Sequence, residues 1–388
     1  MRRLIHSVLT MSVFLVAGPL LAQTPCPSFS VVINSPEDQL TLAYNGAENP
    51  QEQVAALDKY AQANADSKFM PCINEYYTMA LVKQGNFDKA IEYGEKDLAA
   101  NYRDLSLSVN LMKAYVGAGK ATDNAFDLVL KAPDLIKKET TPSRPAKATD
   151  EEWQKMQQDS AELAKDVNGY MTYAFFQLLP RTPDAAKRLE YLGQFEKAYP
   201  NVDAQQAAQI NFQYFLAYDM AGKGDQAGQY GEKAIAADGS NPQVLNLVAY
   251  GYMNRQTNLD KAESYSKKVL TLVPAMKKPD GEADDQFKAD QNNQLGMAHV
   301  TLGFVYFQRG AKTHKVEPAI GEFKTAVALL GGNPPLRGQA LYYLGYAYEV
   351  QTPANHHAAS DALTQSVAIQ SPWQAPARDL LAKVKAAK

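Results

Sequence analysis

Small and apolar residues return at helical spacing along most of the chain, and strict alternation of polar and apolar positions is scarce, so the pattern predicts helices and almost no sheet. A longer period lies over the helical one. From Tyr218 to Pro274 one arrangement occurs twice: Tyr218, the turn Gly222-Lys223-Gly224-Asp225-Gln226-Ala227, Ala234 and Asn241-Pro242, then Tyr252, Ala262, Val269 and Pro274. Each copy spans about one helical hairpin. Ala227 and Ala262 fall where the two helices of a hairpin cross, and a larger side chain there would force them apart. Gly222 supplies the left-handed residue that ends the first helix, and Pro242 opens the next, where its missing N–H costs nothing.

The rest of the chain carries the same punctuation. Ser35-Pro36-Glu37-Asp38 starts a helix with a capping hydroxyl, a first-turn proline and acids at the positive end of the dipole; Pro50 starts a second that runs to about Ala65. A hairpin over Pro71 to Tyr102 has Tyr77 and Leu81 on its first helix and Ala90, Ile91 and Leu98 on its second. The next turns at Gly117-Ala118-Gly119-Lys120, and its second helix, Ala125 to Ile136, is expected to end early or kink at Pro133. Lys137 to Thr149 is a proline-bearing loop, after which Thr149-Asp150-Glu151-Glu152 caps an unusually long helix reaching Leu179. Lys277 to Asp284 repeats the device before a helix from about Asp284 to Gln308. Trp153, Gly169 and Ala185 are spaced as Phe287, Gly303 and Ala319 are; duplication of one block and chance agreement between helices both account for this.

Leu302-Gly303-Phe304-Val305-Tyr306, Leu344-Gly345-Tyr346-Ala347-Tyr348 and Gly85-Asn86-Phe87-Asp88-Lys89-Ala90, with the two copies after Tyr218, resemble the tetratricopeptide repeat (TPR), a helix-turn-helix unit of roughly 34 residues. The resemblance implies an all-α fold, an α-solenoid (superhelix) of stacked antiparallel hairpins. On that frame residues 1–22 are a signal peptide, 23–70 an irregular leader and N-terminal helical hairpin cap, 71–374 the repeat array with breaks at 137–149 and 275–284, and 375–388 a C-terminal capping helix. The family also implies a protein or peptide partner, held on the concave surface that the first helices line. Phe212, Leu216, Asn246, Tyr250, Val300, Phe304, Tyr342 and Tyr346 take those positions. The alternative for each is packing between neighbouring repeats. Some tetratricopeptide proteins clamp a peptide carboxylate with lysines and asparagines, but Phe212, Val300 and Tyr342 stand at the lysine-type positions here, so that clamp is not expected.

Charge narrows the partners. The formal net charge is −3 with 21% charged residues, so no basic stripe points to nucleic acid and no polybasic segment to anionic lipid. At the N-terminus, Arg2 and Arg3 precede an apolar run from Leu9 to Leu21 and the small-residue ending Leu20-Leu21-Ala22, the order of an export signal cut near Ala22 or Gln23. An uncleaved anchor is the alternative, but the run is shorter than the ~20 residues of a span. After cleavage no transmembrane segment is expected, and the mature protein is placed in the periplasm or outside the cell of a bacterial-type envelope. Export puts the two cysteines, Cys26 and Cys72, in an oxidising compartment. A disulfide between them would close a loop of about 45 residues worth ~3–4 kcal/mol; two unrelated cysteines is the other reading.

Reactive constellations are missing from the sequence. His356-His357 is its sole histidine cluster, and adjacent residues point apart with no acid at ligand spacing, so no metal site is expected. No nucleophile elbow, phosphate loop or His-Glu-x-x-His motif occurs, and the acidic runs sit at helix starts, where the dipole accounts for them. The sequence therefore predicts no catalytic residues and no cofactor. It describes an exported, non-catalytic TPR scaffold that binds proteins through a concave, aromatic-lined surface. The alternatives are a structural component of an envelope assembly that makes contact through the long helices beginning near Asp150 and Asp284, and an accessory protein of an envelope enzyme.

Overall fold

A computed structural model describes residues 32–67, 69–100, 104–141 and 143–386. The signal peptide expected over residues 1–22, the leader as far as residue 31 and Cys26 lie outside the described residues. All regular structure among the described residues is helical, and the chain divides into two compact units between Asn201 and Val202.

The N-terminal unit contains α1 (Pro36–Gly46), α2 (Pro50–Ala63), α3 (Met70–Lys83), α4 (Phe87–Ala99), α5 (Leu105–Ala118), α6 (Asp123–Glu139), α7 (Asp150–Leu178) and α8 (Ala185–Ala198). Its helix starts are chemically marked: the side chains of Ser35, Asn49, Asp104, Thr122 and Thr149 each accept a backbone N–H of the first turn, and Thr149 with Glu152 completes a capping box. Contrary to expectation, α6 runs through Pro133 to Glu139. Pro133 cannot donate to the Val129 carbonyl one turn back, and the Tyr199 hydroxyl donates to that oxygen instead, at 2.9 Å. A side chain just beyond α8 thus supplies the bond that the helix lacks. Beneath it, stacked rings of Phe126, Tyr191, Phe175, Phe195 and Tyr199 join α6, α7 and α8 into one core.

The C-terminal unit contains α9 (Ala204–Met220), α10 (Gly224–Ala237), α11 (Pro242–Arg255), α12 (Leu259–Leu272), α13 (Asp284–Gly310), α14 (Glu317–Leu329), α15 (Pro334–Val350), α16 (His356–Ala368) and α17 (Gln374–Ala386). Each odd-numbered helix from α9 to α15 packs on the helix after it, and α11, α13, α15 and α17 also pack side by side, which stacks the hairpins. Ala227 and Ala262 are fully buried at the crossings, in one cluster with Phe215, Val248 and Tyr252. Gly303 has the same duty in the next hairpin: a methyl group there would lie 2.6 Å from the Phe323 ring of α14.

One turn recurs in both units. Gly85, Gly119, Gly222, Gln256 and His314 all have positive φ, and the N–H of the following residue reaches back five positions, Asn86 to Leu81, Lys120 to Tyr115, Lys223 to Tyr218, Thr257 to Tyr252 and Lys315 to Gly310, at 2.9–3.1 Å. Thirty-four positions separate Gly85 from Gly119, and again Gly222 from Gln256. The hairpin period read from the sequence is therefore built into the backbone.

Candidate functional site

The eight residues expected on a concave surface do sit on first helices: Phe212 and Leu216 on α9, Asn246 and Tyr250 on α11, Val300 and Phe304 on α13, Tyr342 and Tyr346 on α15. Their accessibility divides them. Phe212 is 8% exposed, Asn246 2%, Val300 0% and Phe304 3%, while Leu216, Tyr250 and Tyr342 are half-buried and Tyr346 is 38% exposed. For the first four, packing between helices replaces the open groove. From α11 to α15 neighbouring first helices pack side by side and cover one another's side chains, while Phe212 on α9 is buried in the cluster with Ala227 and Val248.

The covering contacts are specific. Asn246 Nδ2 donates to the Gln294 carbonyl of α13 at 3.0 Å, Phe304 meets the edge of the Tyr343 ring at 5.3 Å, and the Tyr250 hydroxyl of α11 donates to Gln339 Oε1 of α15 at 2.8 Å. Burial raises the pKa of the Tyr250, Tyr342 and Tyr343 hydroxyls, and that of Tyr250 donates to Gln339. None of the eight is an acidic or basic residue.

What remains at least partly accessible is an aromatic corner of Tyr342, Tyr346 and Trp373, with Phe307 buried under it. Tyr342 lies 5.1 Å from Trp373 and 6.4 Å from Tyr346, and Tyr346 lies 5.0 Å from Phe307. Trp373 and Phe307 were not among the residues singled out from the repeat frame. Trp373 falls just before α17, outside any first helix, though as one of two tryptophans it was open to notice.

Elsewhere the polar clusters are internally matched. His356 Nδ1 lies 3.0 Å from both oxygens of Glu349 and His357 Nε2 lies 3.4 Å from Asp361 Oδ2, so each histidine at the start of α16 faces its own acid. Among the described residues no group of three metal-binding side chains converges, and no helix is long and apolar enough to cross a membrane. Between α6 and α8 a cleft of about 360 Å³ is lined by Asp123, Asp127, Leu130, Lys187, Glu190, Tyr191 and Gln194. Its acid Asp123 already accepts from Lys187 Nζ at 2.8 Å and from the Tyr191 hydroxyl, and these bonds lower its pKa. Cys72 is buried on α3.

Stacked antiparallel hairpins define an all-α helical-repeat fold. Within that class the left-handed turns at 34-residue spacing and the small residues at the crossings make the hairpins tetratricopeptide-like. No family model matches the sequence, and no curated protein does. Among solved structures the chain is similar to the C-terminal part of a TPR repeat-containing protein from Cytophaga hutchinsonii, at 18% identity over 79% of this chain and 98% of that one, with a TM-score of 0.37. It is also similar to the APC/C hetero-tetramer Cut9–Hcn1, at 14% identity over 91% of this chain and 84% of that one, with a TM-score of 0.27. At such scores neither likeness carries an argument, and the class rests on the hairpins themselves.

Proposed function

We propose that this chain is an exported, non-catalytic scaffold that binds a protein or peptide through the aromatic corner of its C-terminal unit. The observation that carries the reading is the chain of ring contacts from Trp373 through Tyr342 to Tyr346, with Tyr346 left 38% exposed over the buried Phe307. Grouped aromatics at a surface bring large contact area for little lost rotamer freedom and commonly anchor partners. The test is a photo-crosslinking residue at position 346, used in whole cells and envelope extracts. A discrete protein adduct that Tyr342→Ser abolishes, with the melting temperature held, supports the corner; adducts indifferent to that change remove it.

Export is part of the proposal, from the basic head and apolar run of residues 1–22. A mature N-terminus near Gln23, and a Cys26–Cys72 bridge seen in the non-reduced protein, are the expected results; a chain beginning at Met1 and retained in a membrane would overturn it. A second reading is favoured by α7, whose residues from Asp150 to Asp166 include none that is buried and carry Trp153, Met156 and Leu163 half-covered along one stripe. In that reading the long helix, as part of an envelope assembly, makes the contact.

A further inference from the structure

The Tyr250–Gln339 hydrogen bond joins residues 89 positions apart, on helices that each pack against α13, and therefore passes across the inner face of α13. Tyr250 is half-exposed there and packs on the cluster that holds Phe304, while Gln339 beneath it is 1% exposed. Amide atoms along the same helices are buried without a partner: Gln339 Nε2 in the bridge itself, and Asn246 Oδ1 and Gln294 Oε1 in the α11–α13 contact. Such atoms oppose the closed arrangement, because they would gain partners on exposure, whereas the apolar contacts of Phe304 favour it. Opposed tendencies at one seam are the ingredients of a two-state element.

We propose that the Tyr250–Gln339 bond is a clasp: it holds α11 and α15 together across α13, and its release opens the inner face of the C-terminal unit above Phe304. The clasp explains why a first-helix face of tetratricopeptide type is filled by its own side chains. It also separates the always-accessible corner at Tyr346 from a face exposed only on opening. The open face offers one aromatic ring and three neutral amide atoms.

Hydrogen exchange of the full chain tests the clasp without a partner. Tyr250→Phe removes the hydroxyl and leaves the ring, so amides of residues 297–305 and 336–341 should exchange roughly fivefold to tenfold faster, the factor that loss of one net hydrogen bond gives. Residues 319–326 of α14 should keep their rates. In a Gln339→Leu background the hydroxyl keeps only Asn254, on its own helix, so Tyr250→Phe should then add far less acceleration than it does in the native chain. An uncharged dye such as Nile red should report newly exposed apolar surface in Tyr250→Phe and not in the unmodified chain. Unchanged exchange in the single variant, the same acceleration in both backgrounds, or equal acceleration of α14 would each overturn the clasp.

Discussion

The two long helices, α7 and α13, have 29 and 27 residues, both follow a proline-bearing break, and both end in a short 3-10 turn. In both, burial is confined to the second half: it begins at Val167 in α7 and at Gly296 in α13. The matching glycines differ completely. A methyl group on Gly169 would meet nothing within 4 Å, whereas on Gly303 it would strike Phe323. Ala185, the matching position after α7, is half-buried, and Ala319, its counterpart after α13, is fully buried. Equal spacing in sequence thus accompanies unequal packing, because spacing fixes which side of a helix a residue occupies but not how near the next helix comes.

The comparison is broken most readily at the rings. Phe304→Ala on α13 should cost ~3–5 kcal/mol in chemical denaturation, the usual loss for a buried aromatic, whereas Tyr173→Ala on α7, which is 47% exposed, should stay within ~0.5 kcal/mol. A small effect at Phe304 would mean that α13 is no more buried than α7. The glycines sharpen the contrast. Gly303→Ala is expected to lose ~1–3 kcal/mol by overpacking against Phe323, while Gly169→Ala should gain ~0.5–1 kcal/mol, since alanine is the better helix former where space is free. Opposite signs in one thermal-melt series are the result sought; like signs would restore the equivalence.

The smallest effect lies at the helix starts. Thr149 and Glu152 form a capping box on α7, but Ala283 at the start of α13 makes no side-chain cap bond. Thr149→Ala should therefore lose about 1 kcal/mol, and Ala283→Asp should gain a similar or smaller amount, with circular dichroism showing the change in the first turns.

How much of this was legible in advance depends on range. The caps at Ser35 and Thr149, the turn at Gly222 and the small residues Ala227 and Ala262 act through atoms a few positions away or through the hairpin partner, and local pattern reports them faithfully. Gln256 and His314 take the same left-handed turn without glycine, so that sign was absent where the turn was present. The candidate site depended on longer range still. Tyr250 looks like a groove residue until Gln339 is brought to it from α15, and Phe304 until Tyr343 closes on it. Pro133 looked like a helix end because its partner in trans, Tyr199, lies 70 positions from the carbonyl it serves.

That last contact has a bearing on where the N-terminal unit can be cut. A fragment ending after α7 would contain every residue of α6 yet lack the hydroxyl that completes its hydrogen bonding, and the helix would be free to bend at Pro133. Autonomy here belongs to the stretch that runs through Tyr199, so limited proteolysis should release a stable piece ending beyond that residue, and shorter pieces should be digested further.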